Sequence, residues 1–169
     1  MLQKFKRILT HLWLDESDTR RAMPADMLAR LAALVAANEL RHSGELRIFV
    51  EAGLPASYLW RGAPVRERAM TLFGKLRVWD TEHNNGVLIY LLLADKAIEV
   101  VADRGLNPHV SAPQWRALTD KLGTALHEGR FEDGLMQALE ALSAVLVAHF
   151  PLSTGSANAN ELPDHPVLG

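Results

Sequence analysis

The sequence contains no cysteine among its 169 residues. This absence excludes disulfide bonds, thiolate zinc sites and cysteine nucleophiles, although it leaves the redox compartment open. No apolar run approaches the roughly 20 residues that a membrane-spanning helix requires. The opening MLQKFKRILTHLW also lacks the long apolar core and the small-residue cleavage site of a secretory signal peptide. We therefore expect a cytoplasmic protein without a membrane anchor.

Neither positive nor negative charge predominates in the sequence. The 18 Lys and Arg residues nearly balance the 20 Asp and Glu residues, and the net charge is −2. A protein that neutralises phosphates needs clustered basic residues, so we expect no nucleic-acid partner. The sequence contains none of the glycine-rich loops or serine motifs that bind nucleotides or supply common nucleophiles. We expect no nucleotide or organic cofactor.

What is present is the composition of one soluble globular domain, with 49% apolar and 22% charged residues. We divide the chain into an N-terminal amphipathic segment (1–19), a folded domain (20–151) and an extended or disordered tail (152–169). The tail is predicted from its small, polar and proline-punctuated sequence.

The N-terminal segment allows two interpretations. Apolar residues recur at helical spacing, and basic residues occupy much of the remaining surface; they are Leu2, Phe5, Ile8, Leu9, Leu12 and Trp13, with Lys4, Lys6 and Arg7. A short helix of this kind packs on its own domain, which we favour because three basic residues are few. The alternative is peripheral contact with an anionic membrane through residues 1–13.

Hydrophobic periodicity predicts the order helix, strand, helix, strand, strand, helix, helix. The first strand is ELRIFVEA, the nearly all-apolar second strand is GVLIYLLLA, and the third is AIEVVA. A helical crossover makes the first two strands parallel, whereas the short ADKA break forces an antiparallel hairpin. The predicted fold is a three-layer α/β/α sandwich with a small mixed sheet, composed of two parallel strands and an antiparallel hairpin partner.

This topology brings three polar loops, HSGE (42–45), DTEHNNG (80–86) and ADRG (102–105), to one edge of the sheet. Carboxylates with amide and hydroxyl oxygens suit a hard divalent cation, with Ca²⁺ or Mg²⁺ favoured. The predicted metal ligands are Glu45, Asp80, Glu82 and Asp103. Residues predicted to hold an anion or to support the ligands are Ser43, Thr81, Asn84, Asn85 and Arg104.

Each part of this cluster also has an ordinary structural interpretation. Asn84-Asn85-Gly86 is typical of a turn that needs left-handed backbone conformations, and Asp103 with Arg104 is typical of a weak surface ion pair. Ligands usually bind at the carboxyl ends of parallel strands, whereas these loops lie at the amino ends of the first two strands.

The stretches HSGE (42–45), TEHNNGVLIYLLLAD (81–95), VVADRG (100–105), HFP (149–151) and NELPD (160–164) resemble the TPM-domain family, which is named from a thylakoid-lumen phosphatase, a photosystem repair protein and a nematode receptor modulator. The resemblance covers about residues 20–165 and is greatest to small bacterial members without a signal peptide or membrane anchor. The positions that match are Gly44, Glu45, Thr81, Asn85, Gly86, Asp103 and Gly105.

The resemblance implies an α/β/α sandwich, a divalent-cation site in an acidic cleft and, as in some plant relatives, acid phosphatase activity. Two functions therefore stay open. The first is a cytoplasmic TPM-type domain that binds a divalent cation and supports weak phosphatase-type hydrolysis. The second is a non-catalytic interaction or scaffold module with a protein partner or a membrane surface, and the lack of an evident nucleophile favours it on the question of catalysis.

Overall fold

The computed structural model describes residues 2–152 and 161–169. Met1 and residues 153–160, which belong to the predicted membrane-contacting segment and the predicted tail, lie outside them. The elements in chain order are α1 (Leu2–Trp13), α2 (Glu16–Ala22), α3 (Ala25–Glu39), β1 (Leu46–Glu51), α4 (Ala56–Arg61), α5 (Val65–Lys75), β2 (Val87–Leu92), β3 (Ala97–Ala102), a 3₁₀ turn (Arg104–Leu106), α6 (Ala112–His127), α7 (Phe131–His149) and β4 (Val167–Leu168).

The four strands form one mixed sheet in the order β3-β2-β1-β4. β1 runs parallel to β2 with Leu46 opposite Val87, and β3 returns antiparallel with Ala102 opposite Val87. The predicted arrangement of two parallel strands and an antiparallel hairpin partner is therefore confirmed.

Helices cover both faces of this sheet, which confirms the predicted α/β/α sandwich. One face packs against α3, α6 and α7 and contributes Leu46, Ile48, Val50, Val87, Ile89 and Leu91 to the core. The other face packs against α4 and α5 and contributes Phe49, Leu88, Tyr90, Leu92 and Val101. All six residues of β2 are buried, because the strand is central and has a helical layer on each side.

Four short elements were not predicted: α2, α4, the 3₁₀ turn and β4. Ala56–Arg61, which the sequence indicated as loop, forms α4 between Pro55 and Gly62, whose φ of 65° ends the helix. Val167 and Leu168, in the predicted tail, pair with Phe49 and Val50 of β1 as a fourth strand. Elements this short carry too few residues to show periodicity. The domain boundaries at residues 19 and 151 stay predictions.

Within residues 2–152 and 161–169, no helix combines the length and apolar character needed to cross a bilayer. The expected cytoplasmic location stays a prediction.

Among the glycines of the described residues, Gly86, immediately before β2, has the closest approach of another part of the chain. A Cβ atom on Gly86 would lie 2.0 Å from the carbonyl oxygen of Val78. Backbone atoms cannot move aside as the end of a flexible side chain can. Glycine is therefore required here for the chain after α5 to lie against the start of β2.

We expect Gly86→Ala to reduce the free energy of unfolding by about 2–3 kcal/mol, since it overpacks a backbone contact. The matched control is Gly74→Ala in α5, where a Cβ would meet no atom within 4 Å. That substitution should be neutral or stabilise by up to about 1 kcal/mol. Urea unfolding followed by tryptophan fluorescence measures both; equal midpoints for the two variants would contradict the contact.

Candidate functional site

The three predicted loops meet at one edge of the sheet. The Val87 amide donates to the Glu45 carbonyl at 2.8 Å, and the Asp103 amide donates to the Gly86 carbonyl at 2.9 Å. Continuing the strand register, Glu45, Gly86 and Asp103 lie side by side on three adjacent strands, and paired positions face the same side of a sheet. Glu45 and Asp103 therefore flank a position that has no side chain.

Asn85 joins two of the loops. Its backbone amide donates to Thr81 Oγ1 at 3.0 Å, and its side-chain Nδ2 donates to Ser43 Oγ at 3.2 Å. Asn85 is fully buried, so these bonds fix the loop from within. Asn84 has a φ of 52°, the left-handed conformation that asparagine tolerates and that the turn interpretation predicted.

The third loop packs closely against the second. The Gly105 amide donates to the Asn84 carbonyl at 2.9 Å, and a Cβ on Gly105 would lie 2.5 Å from that oxygen. Arg104 donates from Nε to Asn84 Oδ1 at 3.1 Å, while its amide donates to Asp103 Oδ1 at 2.7 Å. The contact between Asp103 and Arg104 is thus a backbone cap rather than the predicted ion pair.

Asp80 and Glu82, the other two predicted ligands, point to different surroundings. Asp80 forms an ion pair with Arg77, and its side chain is 42% exposed. Glu82 is exposed, and its amide donates to Glu161 Oε1 at 3.3 Å. Both carboxylates thus differ from Glu45 and Asp103 in being solvated or already paired.

Three oxygens of these loops are buried and lack a hydrogen-bond partner: Glu45 Oε2, Asn85 Oδ1 and Asp103 Oδ2. Burying a polar atom without a partner costs free energy, and carboxylate and amide oxygens are the ligands that Ca²⁺ and Mg²⁺ accept. The donor types therefore fit a hard cation.

A site made of carboxylates alone does not fit. Among residues 2–152 and 161–169, no group of three His, Asp or Glu side chains is close enough together to hold a metal. A cation at this edge would need the amide oxygen of Asn85 or backbone carbonyls beside two carboxylates, ligands that hard cations take readily.

A buried charged cluster that was not predicted lies beside Glu45. Glu39, at the end of α3, accepts from the Leu46 amide at 3.3 Å and is hydrogen-bonded to the side chain of Asp164. Arg47 donates from Nη1 to the carbonyl of His165 at 3.3 Å. The segment 161–169 therefore covers a cluster of carboxylates and one guanidinium on the face of β1.

The same segment contacts Glu45 directly, because the Glu161 amide donates to Glu45 Oε1 at 3.1 Å. Burial raises the pKa of Glu45, and the nearby Glu161 and Asp164 charges add to the effect. Burial, followed by the charge of Glu45, raises the pKa of Glu39 to about 9. Burial lowers the pKa of the Arg47 guanidinium, and the carboxylates around it oppose that shift. At neutral pH Glu39 therefore holds a proton that the unfolded chain would release.

One signal in the sequence could have found this cluster. Met27, Leu31 and Val35 recur every four residues along α3, and Glu39 is the next position in that stripe. A carboxylate that continues a buried stripe is expected to be buried with a partner. His42 is likewise buried rather than solvent-facing, with its ring 3.1 Å from Ser143 Oγ, and burial lowers its pKa to about 4.

A comparison with protein families agrees with this geometry. The family model described as the TPM domain matches residues 17–145, more than half of the chain. The chain belongs to the TPM-domain family. The match includes all three loops of the TPM edge, by which we mean HSGE, DTEHNNG and ADRG with the strand ends between them.

Solved structures extend the comparison to the fold of this TPM domain. The NMR structure of the BA42 protein from the psychrophilic bacterium Bizionia argentinensis is similar, with a TM-score of 0.75 and 27% sequence identity. The similarity covers 87% of this chain and 95% of that one. No curated protein sequence matches.

The raised pKa of Glu39 predicts that alkali destabilises the protein. The folded state keeps a proton on Glu39 between pH 4.5, its ordinary pKa, and about pH 9, whereas the unfolded chain releases it. The contribution of Glu39 to the free energy of unfolding should therefore fall as pH rises through this window, by up to about 1.4 kcal/mol per pH unit for one proton. Below about pH 6.5 the lowered pKa of His42 acts in the opposite sense, so the decrease should be seen above that pH.

Glu39→Gln removes this titration and should flatten the dependence, leaving the smaller contribution of Glu45. The control is Glu140→Gln, whose parent side chain is 53% exposed and whose slope should match the wild type. Urea unfolding at intervals from pH 5 to 9 measures all three proteins. A wild-type stability that rises between pH 7 and 9 would contradict the assignment.

Proposed function

We propose that this TPM domain binds a hard divalent cation, Ca²⁺ or Mg²⁺, at the TPM edge, with Glu45 and Asp103 as the charged ligands. The observation that supports it most directly is the set of unpartnered buried oxygens on Glu45, Asn85 and Asp103. Carboxylate and amide oxygens are both ligands that a hard cation accepts.

The position of Gly86 supports sharing of one ion. Two strand spacings of about 4.8 Å place the Glu45 and Asp103 backbones roughly 10 Å apart on the same face. Between them lie a residue without a side chain and, above it, the Val78 carbonyl. Side chains that reach inward from both flanks, together with a backbone carbonyl, are a common ligand combination for Ca²⁺.

Hydrolysis is not part of the proposal. The two hydroxyl groups of the TPM edge, on Ser43 and Thr81, each accept a hydrogen bond from Asn85. These contacts assign both hydroxyls to holding the loops in place. A hydroxyl nucleophile needs an adjacent general base, and neither group has a base as its observed partner. Arg104, which stays predicted to hold an anion, donates from Nε to Asn84 Oδ1.

Protons and cations should compete for Glu45, because burial raises the pKa of its carboxyl group. The protonated acid is a poor ligand, so the cation affinity should fall as the pH is lowered.

We expect Ca²⁺ or Mg²⁺ to stabilise the full chain relative to the same protein in EDTA, by roughly 2.7 kcal/mol at 100 times the Kd. Asp103→Asn keeps the oxygen that caps Arg104 but removes the charge, and it should abolish this stabilisation; Glu45→Gln should do the same. Urea unfolding at several cation concentrations provides the measurement.

The matched controls are Asp80→Asn and Glu82→Gln, which remove a carboxylate from the same loop outside the proposed ligand set. Both should respond to the cation like the wild type. A wild type that no ion stabilises would overturn the site. A response lost in Asp80→Asn but kept in Asp103→Asn would move it to the exposed side of the loop.

A further inference from the structure

The helix α1 contacts the domain through the side that carries Arg7, His11 and the partly buried Ile8, which packs against the core. Arg7 binds both oxygens of Asp95 in the β2–β3 turn, with Nε at 3.0 Å and Nη2 at 2.7 Å. His11 is buried; its Nδ1 accepts from the Leu54 amide at 2.9 Å, and its Nε2 lies 3.0 Å from Asp95 Oδ1. Because Nδ1 accepts, Nε2 carries the proton and donates it to Asp95.

These bonds also set the charge of Asp95. Burial alone would raise the pKa of Asp95, but hydrogen bonds from Arg7 and His11 outweigh burial and lower it. The polar side of α1 is thus fixed against the β2–β3 turn.

As a consequence, α1 turns its apolar side to solvent. The α1 stripe consists of Phe5, Leu9, Leu12 and Trp13, which are 62%, 44%, 66% and 84% exposed. Spacings of four, three and one residues place them on one side of the helix. A surface helix of a globular protein normally buries this side and exposes the polar one. Contiguous exposed apolar residues of this size mark an interaction surface.

The charged residues of α1 itself are basic. The α1 sequence LQKFKRILTHLW contains no acidic residue. Exposed Lys6 lies next to the stripe, in a shallow groove that it forms with Leu9, Thr10, Trp13 and Leu14. Phe, Leu and Trp on one side of a helix and basic residues beside them are typical of helices that lie in the headgroup region of a bilayer. Trp is favoured there because its ring has an apolar body and a polar N–H.

We propose that α1 docks this protein on an anionic lipid bilayer, with the α1 stripe inserted among the headgroups and Lys6 beside anionic lipids. The contacts of Arg7 and His11 with Asp95 and Leu54 hold the folded domain above the membrane. Self-association through the same surface is disfavoured, because the exposed charge described beside the stripe, that of Lys6, is positive in both copies. The docking does not depend on the cation site and should persist in EDTA.

Vesicle flotation of the full chain in EDTA tests the proposal. The vesicles contain phosphatidylcholine, either alone or with one part in three of phosphatidylglycerol. We expect the wild type to float with the anionic vesicles and much less with the neutral ones. Leu9→Ser/Trp13→Ser should reduce binding at least about tenfold, because it removes two large apolar groups from the bilayer contact.

Trp60→Ser is the matched control, since Trp60 is 82% exposed on α4 and outside the α1 stripe; this variant should float like the wild type. A second readout is tryptophan fluorescence in the presence of vesicles. Brominated lipids should quench part of the wild-type tryptophan fluorescence, and Trp13→Ser should lose that quenching.

Three results would overturn the docking. The first is failure of the wild type to float with anionic vesicles. The second is equal flotation of the wild type and Leu9→Ser/Trp13→Ser. The third is a wild-type dimer in analytical ultracentrifugation that Leu9→Ser/Trp13→Ser dissociates while no protein floats, which would assign the α1 stripe to a second copy of the chain.

Discussion

The close approach of the Val78 carbonyl to Gly86 is the contact on which the TPM edge depends. Because Gly86 has no side chain, the chain that leaves α5 can lie directly on the start of β2. Asn85 is then positioned to bind Thr81 and Ser43. Gly105 allows a similar close contact in the third loop, where its backbone lies against Asn84. Gly86 and Gly105 thus allow the three loops to pack closely against one another. Glu45 and Asp103 lie on either side of Gly86.

The charged side chains beside the TPM edge are buried, and their burial costs free energy. Glu39, Glu45 and Arg47 are each less than 10% exposed, although charged residues are rarely buried and buried ion pairs contribute little net stability. The carboxyl groups are accommodated by raised pKa values and by amides of the segment that ends in β4. The end of the chain therefore helps to define the dielectric environment in which Glu45 would bind a proton or a cation.

The sequence predicted the features that local pattern controls. The apolar run of β2, the ADKA turn and the helical crossover were sufficient to give the sheet order of three strands and the convergence of the loops. Glu39 and Arg47 were not predicted, because their burial depends on residues 161–169, more than 110 positions away in the chain. The orientation of α1 was also beyond pattern analysis, since periodicity identifies an apolar side but not the side that contacts the domain. Asp80 and Glu82 show the same limit, because sequence proximity to Asn85 does not determine where a carboxylate points.

The central claim is that Glu45 and Asp103 share one hard cation at the TPM edge, on the side of the sheet that Gly86 faces. Solution NMR with Mn²⁺ tests it most directly, because a bound paramagnetic ion broadens the signals of nearby nuclei. The account predicts that substoichiometric Mn²⁺ first broadens the amide signals of Asn85, Gly86 and Asp103, and that excess Mg²⁺ restores them. Broadening spread over the exposed carboxylates, or centred on Asp80 and Glu82, would contradict it.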